Sequence, residues 1–284
     1  MDRDPVERSW HVNGLELAGL CWGDETLPPI LALHGWLDNA ESFNALAPLL
    51  ENYYVVAPDL TGHGRSSHRS QDATYQIWDD LPELMGIVAH LGWSEFTLMG
   101  HSRGAIISSI LASATPALVR HLVLLDAVLP PAVPEAQFPQ QLARFLVQKS
   151  TLLNREAKLY PALELAIAAR AAKGLSKASA TALARRGLNQ FDEGYRWNSD
   201  PRLQGASAVK LSEGQNRAIL RSLTMPTLLL QPSDGLIQHS DGRLEASKTN
   251  IPSLQVEEVP GGHYFHMDAA VEDVAARILA FLAA

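Results

Sequence analysis

The sequence has a single cysteine, Cys21. No intrachain disulfide can form, so a small disulfide-stapled fold is excluded and a reducing compartment fits. It also has no uninterrupted apolar stretch long enough to span a bilayer, so stable membrane insertion is not expected. The opening residues, Met1-Asp2-Arg3-Asp4-Pro5-Val6-Glu7-Arg8, are charged and lack the apolar segment of a secretory signal. These absences predict a soluble, cytoplasmic protein. Positive charge is scarce overall: 23 Lys and Arg against 31 Asp and Glu, for a net charge of -8. That balance argues against general nucleic-acid binding. Internal repeats and low-complexity linkers are absent as well. What remains is a chain of 284 residues, 46% of them hydrophobic, which can bury a sizeable core and is not a disordered composition.

Short apolar runs recur along the chain, each bounded by Gly, Pro or Asp. They are Ile30 to Leu33, Tyr53 to Ala57, Phe96 to Met99, Leu122 to Leu125, Thr227 to Leu230 and, more weakly, Leu254 to Val259. Such runs suit strands of a parallel sheet buried on both faces. Between them lie helical patterns, at Ile77 to Leu91 and Gly104 to Ala112, and Val271 to Leu282 reads as a closing helix. The alternation predicts a doubly wound α/β fold with a mostly parallel sheet flanked by helices. It breaks between Leu129 and Leu223, where Leu142 to Leu153, Ala162 to Lys173 and Lys177 to Leu188 read as helices and no strand is expected. The division that follows is a core of residues 1–129 and 224–284 with a helical insertion at 130–223. Charge divides in nearly the same way. Pro130 to Met225 carries 14 Lys and Arg against 7 Asp and Glu, whereas the rest of the chain carries 9 against 24.

Gly100-His101-Ser102-Arg103-Gly104 matches G-x-S-x-G, after a predicted strand and before a predicted helix. A serine presented on a sharp strand-to-helix turn needs small neighbours, and the following helix aims its first amides at the site. Ser102 is therefore the candidate nucleophile. Its hydroxyl needs a base, and in this arrangement the base comes last in the chain. His263, in Pro260-Gly261-Gly262-His263, lies between the last predicted strand and the last helix. Its neighbour His266 reads as a support or surface residue, and the His-x-x-His pair has no carboxylate or cysteine cluster to make a metal site. The acid that orients the base should follow an intervening strand, which favours Asp234 in Gln231-Pro232-Ser233-Asp234-Gly235. Asp126, ending the run Leu122 to Leu125, is the competitor, and either could instead be a turn or cap carboxylate. For the oxyanion hole, the backbone N–H groups of Arg103 and Trp36 are the candidates. Trp36 could also serve as an aromatic anchor for its loop.

Together these residues resemble the α/β-hydrolase superfamily over nearly the full length. His34-Gly35-Trp36 is similar to its oxyanion-loop motif. Asp59-Leu60-Thr61-Gly62-His63-Gly64-Arg65-Ser66 is similar to its D-x-x-G-x-G-x-S segment, which is mainly structural. Gly100 to Gly104 and Gly261-Gly262-His263 resemble its nucleophile elbow and histidine loop. The stretch His34 to Phe43, with Ser66-Ser67-His68 and Leu124-Leu125-Asp126, resembles the serine hydrolase-like subfamily. The resemblance implies a helical cap where the basic insertion falls. Arg103 stands where the family more often has Met, Phe or Leu, and Ala105 replaces a frequent Gly. Haloalkane dehalogenases and epoxide hydrolases share cap and loops but use an aspartate nucleophile, and Ser102 argues against both chemistries.

The expected reaction is hydrolysis of a carboxylic ester, thioester or lactone through an acyl-enzyme on Ser102, with no cofactor and no metal. The alternatives are a C–C bond hydrolase acting on a diketone with the same triad, and a non-catalytic ligand-binding member of the fold. The partner expected is a small-molecule acyl substrate, with an anionic substrate as the more specific expectation. It rests on the basic insertion and on Arg103, whose guanidinium could grip a carboxylate or phosphate. Against it, Arg103 could pair with a core acid such as Asp38.

Overall fold

A computed structural model describes residues 4–237 and 242–284. The sheet begins earlier than the apolar runs suggest. Val6–Val12 (β1) and Leu15–Trp22 (β2) form a hairpin whose turn residues, Asn13 and Gly14, have φ of 52° and 81°. An Asn-Gly pair with both φ values positive makes the turn whose twist matches that of paired strands. The expected runs then appear as Pro29–Leu33 (β3), Tyr54–Pro58 (β4), Phe96–His101 (β5) and Val119–Leu125 (β6). Two short helices follow β4 and β5, Leu81–His90 (α1) and Arg103–Ala114 (α2).

The inserted segment contains Phe138–Leu152 (α3), Leu163–Ala171 (α4) and Lys177–Gly187 (α5), close to the three expected helices. It also contains strands, which corrects the all-helical expectation. Leu159–Tyr160 (β7), Leu188–Phe191 (β8) and Gly194–Trp197 (β9) form a small antiparallel sheet in the order β7-β9-β8. These strands are two to four residues long, too short for an alternating pattern to stand out. Glu213–Ser222 (α6) belongs elsewhere. Its Leu220 and the following Leu223 join the buried cluster of the main sheet, so α6 packs on the core although it falls within residues 130–223. Thr227–Asp234 (β10), Arg243–Asn250 (α7), Leu254–Gly262 (β11) and Val271–Leu282 (α8) complete the chain.

The main sheet has the order β1-β2-β4-β3-β5-β6-β10-β11, parallel from β4 to β11, with β1 and β2 antiparallel at one edge. Every residue of β4 and β5 is buried, because helices cover both faces. Along β3 the sides alternate: Leu31 and Leu33 pack with α1, α2 and α6, while Ile30 and Ala32 pack with Phe265 and α8. The parallel ladder sets the ends of β3, β5, β6, β10 and β11 along one edge, where ligands bind in such sheets. Among the described residues, no helix is long and apolar enough to cross a membrane.

Candidate active site

Ser102 lies between β5 and α2 with φ 52° and ψ -116°, a conformation that a non-glycine residue adopts only when its surroundings enforce it. Three features enforce it. The Ser102 N–H donates to the Leu125 carbonyl at 3.0 Å. A Cβ on Gly100 would lie 2.4 Å from the Gly104 carbonyl carbon, and one on Gly104 would lie 2.0 Å from the Leu33 oxygen. Both glycines of the motif are thus required by close backbone approach. Arg103 is the first residue of α2, so its N–H has no partner within the helix and is free to act at the site.

His263 follows β11 directly, and its Nδ1 donates to Asp126 Oδ2 at 2.6 Å. Asp126 is fully buried at the end of β6, and the His263 side chain is 22% exposed. The Asp126 carboxylate also accepts from the Leu236 N–H at 2.9 Å and the Ile237 N–H at 3.0 Å, and its own N–H donates to Leu230 at 3.0 Å. Asp234, the acid favoured from the sequence, is corrected to Asp126 as the partner of His263. The reason is the length of β10. It continues to Asp234, which pairs in register with Gly262 and is solvent-exposed, unlike a carboxylate that must hold an imidazole in one orientation. The Asp234 loop instead serves Asp126. A Cβ on Gly235 would lie 2.4 Å from Asp126 Oδ1, so this glycine makes room for the acid, and the next two residues donate amides to it.

Three histidines support this edge without titrating near neutrality. His101 Nε2 donates to the His263 carbonyl at 2.8 Å, and its ring centroid lies 4.5 Å from that of His263 and 4.1 Å from that of His266. Burial, and then the neighbouring His266 and His263, hold His101 well below its ordinary pKa. His266 is fully buried and bonded to Ser42 Oγ at 2.9 Å, with burial pushing it down to about 3. It is a support, as one of its two sequence readings had it. His34 Nδ1 donates to the Gly35 carbonyl at 2.8 Å while Nε2 accepts from the Leu60 N–H at 2.9 Å, so the neutral form meets both needs, and burial pushes it down to about 3.

The loop that carries Trp36 is pinned from several sides. Trp36 Nε1 donates to the Leu203 carbonyl at 3.0 Å, so its side chain anchors the loop to the inserted segment. A Cβ on Gly35 would lie 2.6 Å from Asp38 Oδ2 and 3.0 Å from His101 Nδ1. Asp38 accepts from Arg170 of α4, an ion pair invisible in sequence because 132 residues separate its members. Burial raises the Asp38 carboxyl, and Arg170 opposes the rise. The expectation for Arg103 is corrected here. Its Nη2 donates to the buried Asp80 at 2.9 Å, so the guanidinium is paired with a core acid; the acid is Asp80, not Asp38. The Asp59 to Ser66 segment is structural, as its resemblance implies. Asp59 accepts from the Ala40 and Arg65 amides at 2.7 Å each and from Arg186 Nε of α5 at 2.6 Å.

A strained serine at a strand-to-helix turn, a buried aspartate on a histidine, and a glycine-bearing loop opposite them mark a nucleophile-elbow site. The chain belongs to the α/β-hydrolase fold family, whose model matches residues 28–270. Within that family it is similar to human serine hydrolase-like protein 2, at 31% identity over 94% of this chain and 90% of the relative. Among solved structures it is similar to a hypothetical protein from Pseudomonas aeruginosa PAO1, at 35% identity and a TM-score of 0.94 over 98% of this chain and 99% of that one. It is also similar to the thioesterase domain from the curacin biosynthetic pathway, at 26% identity and a TM-score of 0.87 over 98% and 99% of the two chains. The family and these relatives support hydrolysis as the general activity.

Proposed function

We propose that the chain is a cytoplasmic serine hydrolase that cleaves a carboxylic ester, thioester or lactone. The observation that carries this reading is the bond from His263 Nδ1 to the buried Asp126, one residue beyond the strand beside the Ser102 elbow. That bond leaves Nε2 of His263 unprotonated and able to take the Ser102 proton. Ser102 Oγ attacks the acyl carbonyl, and the Trp36 and Arg103 N–H groups hold the oxyanion. Protonated His263 gives its proton to the leaving oxygen or sulfur, and the acyl group remains on Ser102. His263 then draws a proton from water, which attacks the acyl-enzyme and releases the acid. The inserted segment acts as the cap. Its bonds to the core through Arg170 and Asp38, Asn39 and Leu183, and Trp36 and Leu203 support that role. The similarity to a thioesterase domain supports thioesters as one substrate class.

The test is labelling by a fluorophosphonate, read by intact mass, together with turnover of a p-nitrophenyl ester. Wild type should gain one adduct on Ser102. Ser102→Ala should gain none and lose roughly 10^4- to 10^6-fold in kcat, as expected for deletion of a nucleophile that acts with its base as a unit. Unlabelled wild type, or near wild-type turnover by Ser102→Ala, would overturn the proposal.

A further inference from the structure

Between the core and the inserted segment lies a cavity of about 540 Å³. It adjoins the candidate site, because Trp36 and Leu37 of the oxyanion loop and Tyr264, next to His263, form part of its wall. Trp197 and Tyr160 add further aromatic surface. The charged groups on the wall are Arg155, Glu156, Lys158, Arg170 and Lys173. Two of these charges are already answered. Arg170 is bonded to Asp38, and Glu156 accepts from Arg196 at 2.6 Å. Lys158 lies 4.9 Å over the ring of Tyr160, and among the described residues no carboxylate pairs with it, with Arg155 or with Lys173. The cavity therefore presents three unanswered cations against aromatic walls.

A neutral acyl chain needs no such lining. Cations gathered in a cleft beside low-dielectric walls focus field into it and favour an anion there. The basic excess of the inserted segment points the same way, since 14 Lys and Arg stand against 7 Asp and Glu from Pro130 to Met225. We propose that this cavity binds a carboxylate or phosphate carried by the substrate, with Arg155, Lys158 and Lys173 as its recognising residues and the aromatic walls against the substrate's apolar part. This rests on the serine hydrolase reading and names the substrate class for the same site. The three side chains are exposed and flexible, so each contributes modestly and screens with salt. Recognition by such groups acts on substrate capture, and so on KM more than on kcat.

Two matched pairs of substrates test the proposal and locate the anion. In the first the charge is on the acyl part: the adipate mono-p-nitrophenyl ester against p-nitrophenyl hexanoate. In the second it is on the leaving thiol: butyryl-phosphopantetheine against butyryl-pantetheine. Wild type should prefer the anionic member of at least one pair by about tenfold in kcat/KM at low salt, with the preference shrinking as salt rises. Preference in the first pair assigns the anion to the acyl group, and in the second to the leaving group. The combined variant Arg155→Gln, Lys158→Gln, Lys173→Gln should bring the ratio near one. A control that removes equal charge elsewhere, Lys177→Gln, Lys210→Gln, Arg217→Gln, should keep it. Equal rates on both members of both pairs, or loss of the preference in the control, would overturn the proposal. Fluorophosphonate labelling of wild type is scored in parallel. Labelling with no anion preference rejects this inference alone, whereas absence of labelling rejects the serine reading beneath it.

Discussion

Asp126 accepts from His263 and from two backbone amides, and its own amide is tied to the neighbouring strand. Asp126→Asn should therefore lower kcat by about 10^4-fold, because an amide no longer fixes the histidine tautomer. Asp234→Asn should change it by no more than a few-fold, since Asp234 is exposed and His263 Nδ1 is already bonded to Asp126. The reverse order in p-nitrophenyl ester turnover would return the acid role to Asp234. Gly235→Ala reaches the same acid indirectly. Its Cβ would press on Asp126 Oδ1 at 2.4 Å, and a displacement approaching 1 Å should cost on the order of 10²-fold in kcat. The placement of Ser102 at a strand-to-helix turn and of His263 after the last strand was legible in sequence because local glycines and neighbouring apolar runs mark both. The acid was not, because both candidates end strands on the same edge and only three-dimensional register separates them. Gly235 was the available signal: a glycine there makes room for something, and that something is Asp126.

The helices and strands of the core follow the apolar runs closely, whereas the inserted segment is where sequence reading lost detail. Its strands are too short to carry a period, and α6 looked continuous with it because helical pattern alone does not reveal which body a helix packs on. The segment joins the core through an apolar cluster around Tyr264 and through polar bonds between residues distant in sequence. Arg186 of α5 reaches Asp59 at 2.6 Å and Glu7 at 2.6 and 2.8 Å, and the Arg186 and Asp59 side chains are 2% and 0% exposed. Removing one member of such a buried pair strands the other charge. Arg186→Met should cost about 3–5 kcal/mol in urea unfolding, and the double variant with Asp59→Asn should recover part of that loss. Strict additivity of the two changes would show that the pair is not coupled.

For the molecule as a whole, the buried histidines are one set of groups that lowers stability in acid. His34, His63, His101 and His266 all have folded pKa values below the ordinary 6.5. Below pH 6.5 the unfolded chain takes up protons that the folded chain refuses, so stability falls as pH falls, by up to about 1.4 kcal/mol per pH unit for each histidine. For His266 the window runs from 6.5 down to about 3. His266→Gln should flatten the decline of unfolding free energy between pH 6 and pH 4 by about that single-histidine slope; an unchanged slope would mean that His266 is not buried neutral. A different consequence follows from where Asp126 sits. It lies a few residues before the inserted segment departs from the core, yet it is clamped by bonds to β10, to the loop after it and to His263. Three separate elements thus fix the acid, although the inserted segment departs from the core just beyond it. Arg170, by contrast, ties the insertion to the oxyanion loop through Asp38. The segment therefore touches both sides of the site: the Trp36 loop through Asp38, and the loop that carries His263 through Ser179 on Met267 and through the apolar packing of Tyr264. Exchange of the segment from 130 to 212 for another should therefore shift both the Trp36 loop and the histidine loop while leaving Asp126 held by its own bonds.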